Sequence, residues 1–285
     1  MAAYQIVLIK PEGFEFVEGF RETMEAMQWG LQELGYRAPI HVNHIEQGLV
    51  PIIFGSHHFD PQSAAQLPPE TILYNLEQLL PGYPWYQPSY LEVLKKFRVW
   101  DGDLHSALWL RNAGISPKAI YVPIPYAPLL ERIERNKNPD IDVLFYGIQT
   151  ERRLHILRTL GDSGLRVVAL NNVWAKERDA WIARTQLVLG IHQRAGGRLE
   201  VARLIYLLAN GVPVVSEADP HSINPMFSGA FVPAHYDDLI TSCHIVARNG
   251  GLRTHLSEAG RRVVHNPELD ARRILAAALS ACEQT

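Results

Sequence analysis

The stretch Gln186–Glu217, QLVLGIHQRAGGRLEVARLIYLLANGVPVVSE, decides the fold. A first apolar run is broken by Gly196-Gly197, and the apolar segment after it predicts a helix that starts near Arg198 and stops at Gly211. A second β-branched run ends on Ser216-Glu217. Two buried parallel strands joined by a helix form a right-handed βαβ unit. Such units bind ligands just past the strand ends and at the helix N-terminus, so this stretch predicts a ligand site.

Length and composition narrow the class of protein. The chain has 285 residues, of which 47% are hydrophobic and 20% charged, which favours two globular domains. A net charge of −3 argues against nucleic acid as a partner. Two cysteines without a CxxC pair predict neither a disulfide framework nor a thiolate zinc site. With no signal-peptide pattern and no long apolar run, we expect a cytoplasmic protein without a transmembrane segment.

Strands and helices alternate twice along the chain. The first half predicts strands at 4–10, 38–43, 50–55, 71–75, 97–101 and 119–123, with helices at 16–36, 90–97 and 105–113. A charged segment at 127–140 is a plausible linker. The second half adds strands at 141–147, 165–171 and 230–236, and helices at 152–160, 173–184, 237–247, 252–264 and 269–281. We therefore predict two α/β, Rossmann-like domains with parallel sheets that face each other across a cleft.

Common cofactor and nucleophile motifs are absent from the sequence. KPEGF follows the first predicted strand in place of GxGxxG, so the nicotinamide or flavin fingerprint is missing. There is also no GxxxxGK[ST] phosphate loop and no GxSxG nucleophile elbow. The remaining candidates for a functional site are polar residues that follow predicted strands. They are His57-His58 and Glu77 in the first half, and Asn171-Asn172 and His192 in the second.

The segment Glu200–Glu217 resembles the helix-to-strand segment EAxAxGxPVV of GT-B fold glycosyltransferases related to family 4. Glu200-x-x-Arg203, FYG followed by Arg152-Arg153, and the strand ending in Asn171-Asn172 resemble the bacterial branch that includes spore-maturation-type glycosyltransferases. The first half agrees through a strand ending in Gly-x-His, then ILYNLEQ, a strand with Trp-Asp, and YVPIPY. The resemblance covers most of the chain.

This resemblance implies a GT-B fold with a trimmed N-terminal domain. An acceptor-side domain at 1–130 would precede a nucleotide-sugar-binding domain at 131–285, whose final helix is a candidate to pack back on the first domain. The reaction would be transfer of a sugar from a UDP- or GDP-linked donor, with no metal and no other cofactor. The acceptor, whether glycan, small molecule or protein, is open, and a homo-oligomer is an option.

The site residues follow from the resemblance together with the chemistry of an anionic diphosphate. The general base candidates are Glu77, His57 and His58. The donor-binding candidates are Gly147, Arg152, Asn171, His192, Gly196, Gly197, Glu200, Arg203, Tyr206, Ser216 and Glu217. One departure stands out: the family pattern places a ribose-holding Glu where this chain has Tyr206, so Glu200 or Glu217 is left to take that role.

Plainer interpretations stand beside these. Glu200 and Arg203 also match an i,i+3 surface ion pair, and His57-His58 also match a strand cap. Asp101-Gly102-Asp103 matches the metal motif of the other glycosyltransferase fold, but a turn is the simpler interpretation. At the level of function, a nucleotide-sugar epimerase or hydrolase of the same fold is the alternative, and a non-enzymatic sugar- or nucleotide-sensing module is the third hypothesis.

Overall fold

The apolar runs form two parallel β-sheets in the computed structural model, which describes residues 3–283. The first sheet has six strands in the order β2-β1-β3-β4-β5-β6. Their bounds are Tyr4–Leu8 (β1), Ile40–Val42 (β2), Val50–Phe54 (β3), Ile72–Asn75 (β4), Arg98–Asp101 (β5) and Ile120–Tyr121 (β6). The central strands are buried on both faces, as parallel sheets covered by helices require.

Helices from both ends of the chain cover this first sheet. They are α1 (Arg21–Glu33), α2 (Pro61–Ala64), α3 (Pro88–Lys96), α4 (Leu104–Asn112) and the C-terminal α10 (Ala271–Glu283). Helix α10 lies close against α1 at Gly30, because this residue has no side chain to hold the two helices apart. A Cβ at Gly30 would come within 2.7 Å of Leu275 and 2.8 Å of Ala271.

The second sheet has five parallel strands in the order β11-β10-β9-β7-β8. Its strands are Ile141–Tyr146 (β7), Val167–Leu170 (β8), Thr185–Gly190 (β9), Val214–Glu217 (β10) and Val232–Ala234 (β11). The helices of this part are Glu151–Asp162 (α5), Ala175–Ala183 (α6), Val201–Ala209 (α7), Leu239–Arg248 (α8) and Gly250–Val264 (α9). The predicted strand–helix–strand stretch is thus β9-α7-β10.

Contacts along the chain define two compact units. The first unit combines the chain up to Ala127 with the residues from Pro267 onward, and the second is Pro128–Asn266. The segment interpreted as a linker is held to the second unit. Asn210 at the end of α7 accepts hydrogen bonds from the peptide N–H groups of Arg132 (2.9 Å) and Ile133 (2.7 Å) and donates to the Leu130 carbonyl (2.9 Å).

Several predicted boundaries were wrong. Helix α7 begins at Val201 rather than near Arg198, because Glu200 has a non-helical backbone (φ −78, ψ 81) and caps the helix instead of joining it. The helix predicted from residue 16 is a 3-10 helix at Glu15–Phe20 followed by α1. The strand predicted at 230–236 is paired only over β11. The stop at Gly211 is confirmed: its φ is +61, and the N–H groups of Gly211 and Val212 bond back into the last turn.

Two findings hold for the described residues. No helix between residues 3 and 283 has the length and apolar character needed to cross a bilayer. Within the same residues, no cluster of three or more His, Cys, Asp and Glu side chains could hold a metal ion.

Candidate functional site

The carboxyl edge of the second sheet gathers most of the predicted donor residues. Gly147 follows β7, His192 follows β9, and Ser216 and Glu217 end β10. Gly147 has φ +141, a conformation that favours glycine. A Cβ there would lie 3.6 Å from guanidinium nitrogens of both Arg153 and Arg203, so glycine keeps this edge open beside two cations.

Arg152 and Glu217 form a bidentate ion pair across this edge. Arg152 Nη1 and Nη2 donate to Glu217 at 2.7 and 2.5 Å, and Nη1 also donates to the His192 carbonyl at 3.0 Å. The guanidinium group lies over the Tyr236 ring, 3.8 Å from its centroid, while the Tyr236 hydroxyl donates to the Arg152 carbonyl at 2.7 Å. Glu217 further accepts the peptide N–H of His192 at 2.8 Å. Both charges of this pair are thus internally compensated.

Arg153 is buried beside this pair. Its Nε donates to the Ile191 carbonyl at 2.9 Å and its Nη1 to the Ile148 carbonyl at 2.8 Å, which fixes the direction of the side chain. Nη2 lies 3.6 Å from Glu200 Oε1. Burial is the main cause that lowers the pKa of Arg153 to about 10, so the group remains charged at neutral pH.

Glu200 and Arg203 sit at the start of α7 and face one another. Arg203 Nη2 lies 3.0 Å from Glu200 Oε2, and its guanidinium group lies over the Tyr146 ring at 4.6 Å. Burial acts to raise the pKa of the Glu200 carboxyl, but Arg203 and Arg153 outweigh it and hold that pKa below its ordinary value. The predicted i,i+3 pair is therefore present, with a second arginine from α5 added to it.

A small recess lies between these groups and the sheet. Its lining includes Gly190, His192, Glu200, Arg203 and Ser216. Within residues 3–283, Arg203 Nη1 and His192 Nε2 are buried polar atoms without a hydrogen-bond partner. Burial is the main cause that lowers the pKa of His192, so the imidazole is neutral at neutral pH. Buried polar groups are normally paired, so these two atoms are candidate ligand contacts.

The proton on His192 is placed by its neighbour. Nδ1 lies 3.6 Å from Glu217 Oε1, and a carboxylate at that distance favours the tautomer with the proton on Nδ1. In that tautomer Nε2 of His192, a residue that lines the recess, is a hydrogen-bond acceptor. The lining therefore includes one neutral acceptor on His192 and one cation on Arg203, a combination suited to a ligand with both phosphate and hydroxyl groups.

Four of the predicted donor residues lie apart from this recess. Asn171 is exposed in the turn after β8, and Gly196 and Gly197 lie in the loop that precedes α7. Because α7 begins at Val201, the glycine pair is not at the helix N-terminus. The contacts of the described residues do not join Asn171, Gly196 or Gly197 to the recess, and their donor roles stay predictions.

Tyr206 is the fourth predicted donor residue that lies apart from the recess. It is almost fully buried at 2% exposure, and its hydroxyl donates to Asp179 at 2.8 Å and accepts from Arg132 Nε at 3.1 Å. The Arg178 guanidinium group lies 4.7 Å from the ring centroid. The tyrosine that replaces the expected ribose-holding Glu is therefore part of an internal polar network.

The first unit collects its own polar cluster at the carboxyl edge of its sheet. The buried Asn75 donates to Asp101 Oδ2 at 2.8 Å and accepts from the Tyr90 hydroxyl at 2.9 Å. Its amide also accepts the Glu77 peptide N–H at 3.2 Å and donates to the Glu77 carbonyl at 3.0 Å. Tyr90 in turn bonds Ser56 at 3.0 Å. This network holds the backbone of Glu77 in place.

The three predicted base candidates lie together in this cluster. His57 Nδ1 is 3.6 Å from Glu77 Oε1, and the His57 ring lies 4.0 Å from His58 and 4.1 Å from Trp85 between centroids. Burial, and next the charge of His58, lower the pKa of His57 from 6.5 to about 3. Burial also lowers the pKa of His58. Both imidazoles are therefore neutral at neutral pH, and the low pKa of His57 makes that imidazole a weak base.

The Asp101-Gly102-Asp103 segment forms a turn, as predicted. Asp101 Oδ1 accepts the Asp103 peptide N–H at 2.8 Å, and Asp103 caps α4 by accepting from the Ser106 N–H at 2.7 Å. Both carboxylates thus serve local structure.

Three participants were not among the predicted site residues: Arg153, Asn75 and Tyr236. The doubled arginine at the start of α5 was a usable signal for Arg153, and an asparagine ending a buried strand was one for Asn75. For Tyr236, which stacks on an arginine 84 positions away along the chain, the local sequence offered none.

No protein-family model and no curated protein matches the sequence. Solved structures do match. AviGT4, a glycosyltransferase involved in avilamycin A biosynthesis, is 15% identical, with 99% of this chain and 97% of that chain covered and a TM-score of 0.56. HepE from Anabaena, solved with UDP and glucose, is 9% identical, with 98% and 99% covered and a TM-score of 0.63. A Listeria monocytogenes protein assigned as a UDP-N-acetylglucosamine 2-epimerase is 13% identical, with 100% and 98% covered and a TM-score of 0.54.

At these identities the comparison concerns the fold. The relation to family 4 and to the spore-maturation branch stays a prediction. The predicted α/β class is confirmed: this chain has the two-sheet GT-B fold of the glycosyltransferases it matches.

Proposed function

We propose that the protein is a glycosyltransferase that takes its sugar from a nucleotide-sugar donor bound at the recess of the second unit. The observation that carries this proposal is that two side chains with a buried polar atom lacking a hydrogen-bond partner among the described residues line the same recess at the end of a parallel sheet. The two atoms are Arg203 Nη1 and His192 Nε2. Parallel α/β sheets bind ligands at this edge. The likeness in fold to glycosyltransferases adds to the argument.

A diphosphate suits Arg203, which lines the recess, and Arg153, which lies beside the lining residue Glu200. Arg153 is held by backbone carbonyls and Arg203 by its ring contact, so both present fixed positive charge. Departure of a nucleoside diphosphate builds negative charge on the leaving oxygens, and preorganised cations stabilise that charge in the transition state. The neutral Nε2 of His192 would accept from a hydroxyl of the sugar or the ribose. In this proposal Arg152 and Glu217 position the site rather than hold the ligand.

The acceptor half of the reaction is assigned to the first unit. Glu77 is the proposed general base, with its backbone held by Asn75 and the neutral His57 beside its carboxylate. A carboxylate next to a neutral imidazole can take the proton of an attacking hydroxyl. The acceptor class, independence from metals and a homo-oligomeric state remain predictions from the sequence.

Titration calorimetry with UDP and GDP tests the proposal. We expect one of them to bind, and Arg203→Met to weaken binding about 10- to 100-fold, because a charge-assisted hydrogen bond contributes roughly 1.5–3 kcal/mol. Arg158→Met is the matched control, since that side chain is 64% exposed on α5 and pairs only at 3.5 Å with Glu151. If neither nucleotide binds the wild-type protein, the proposal fails.

A nucleotide-sugar epimerase or hydrolase is the alternative, favoured by the likeness to the Listeria protein. Incubation with the bound UDP- or GDP-sugar and no acceptor separates the two. A transferase leaves the donor largely intact, whereas an epimerase or hydrolase converts it at a rate that does not depend on an acceptor.

A further inference from the structure

Glu200 is the unusual group at the recess. Its carboxylate lies 3.0 Å from Arg203 and 3.6 Å from Arg153. It also stands at the N-cap of α7, where the helix dipole favours negative charge. In the ligand-free protein, a carboxylate therefore occupies the place where positive charge from three sources converges.

The two glutamates of the site differ in how firmly they are held. Glu217 is 10% exposed in its side chain and accepts three short hydrogen bonds. The side chain of Glu200 is 41% exposed. Its carboxylate makes no hydrogen bond that caps the N-terminus of α7. To turn toward solvent, Glu200 gives up its ion pairs with Arg203 and Arg153, whereas Glu217 would break three hydrogen bonds and strand Arg152.

We propose that Glu200 is an internal competitor for the anion that this recess binds. Its carboxylate neutralises Arg153 and Arg203 in the empty site, and a phosphate group must displace it. The site is therefore selective by charge, because only a ligand that outcompetes a resident carboxylate gains both arginines. Once displaced, Glu200 is free to accept hydrogen bonds from hydroxyl groups. This inference rests on the proposed function for the identity of the full ligand, but not for the anion site itself.

Inorganic pyrophosphate is the probe that isolates the competition, because it carries the anion without ribose or sugar. Glu200→Gln keeps the shape of the side chain and removes its charge. We expect pyrophosphate to bind this variant about two- to fivefold more tightly than the wild-type chain, the range that an ion pair of this exposure supports. Glu258→Gln makes the same charge change on an exposed position of α9 and should leave the dissociation constant unchanged.

The outcomes are separable. Equal or weaker pyrophosphate binding by Glu200→Gln overturns the inference, and so does an equal gain in Glu258→Gln, which would reveal a general charge effect. Titration of the wild-type chain with UDP and GDP runs in parallel. If either nucleotide binds while the pyrophosphate ratio stays at one, the inference alone fails. If pyrophosphate tightens as expected but neither nucleotide binds, the proposed function fails and the competition by Glu200 stands.

Discussion

Among single residues, the histidines show how burial selects a protonation state. His57 is enclosed by aromatic rings, with 4% of its side chain exposed, and the Glu77 carboxylate lies 3.6 Å from its ring nitrogen Nδ1. The carboxylate does not compensate for lost hydration, since the pKa falls to about 3. A neutral His57 can receive a proton but cannot act as a standing cation. Because its pKa lies far below neutral pH, the imidazole is a weak base there, which leaves Glu77 as the proposed general base.

His57 should also make the stability of the first unit depend on pH. The unfolded chain protonates this imidazole near pH 6.5, whereas the folded protein does so only near pH 3. The stabilisation is therefore complete above pH 6.5 and is lost as the pH falls toward 3, with a slope of about 1.4 kcal/mol per pH unit for one proton. In urea unfolding between pH 7 and 5, His57→Gln should flatten the pH dependence of the unfolding free energy by about that slope.

The readout of this experiment is the slope and not the level of stability, so a general loss of stability in the variant does not confuse it. His255→Gln, at an exposed position of α9, is the control and should keep the wild-type slope. An unchanged slope in His57→Gln would show that burial of this ring is not what couples folding to protons.

At the scale of elements, the crossing of α1 and α10 depends on one residue without a side chain. A Cβ at Gly30 would meet Leu275 at 2.7 Å and the Ala271 backbone at 2.9 Å, so the helices must separate to admit it. Gly30→Ala should destabilise the protein by about 1–3 kcal/mol through overpacking, even though alanine favours the helix by roughly 1 kcal/mol.

Gly161 in α5 is the matched control for this helix contact. Nothing lies within 4 Å of a Cβ placed there, so Gly161→Ala should be neutral or stabilising. Both variants can be compared by thermal unfolding. A stabilised Gly30→Ala would mean that α1 and α10 do not pack as closely as described.

The elements also show what the sequence could predict. The strands of both sheets were recognisable because buried parallel strands are nearly continuous apolar runs, as in VLFY of β7 and LVLG of β9. The start of α7 was misplaced because Arg198 and Leu199 favour helix locally, whereas both lie in the loop before the helix and Leu199 lines the recess. Local propensity does not record that use.

The site was predictable in its location but not in its internal pairing. Strand-end positions pointed to His192, Ser216 and Glu217, since all parallel strands end at one edge. Pairings such as Arg152 with Glu217 or Tyr206 with Asp179 join residues 65 and 27 positions apart. Such partners are chosen by the packing of the sheet, and a single sequence contains no measure of that packing.

At the scale of the whole molecule, the path of the chain determines which segments build each of the two units. The second unit is one continuous segment, while the first is built from both ends of the chain and is completed by α10. Tyr126, just before the second unit, pairs with the backbone of Leu269 and Ala271, just after it. The two chain segments that connect the first unit to the second are therefore hydrogen-bonded to each other within the first unit.

Helix α10 should be indispensable to the first unit and dispensable to the second. Leu269, Ile274, Leu275 and Leu279 are each at most 7% exposed. Burying four such side chains contributes roughly 6–12 kcal/mol, which matches the whole stability of a typical domain.

A chain that ends at Asn266 should lose amide hydrogen-exchange protection throughout β1 to β6 and keep it in β7 to β11. The full-length chain serves as the reference, because it differs only by the segment that carries α10. Protection that survives in both sheets would show that α10 adds little to the first core, and protection lost from both would show that the second unit does not fold independently of the first.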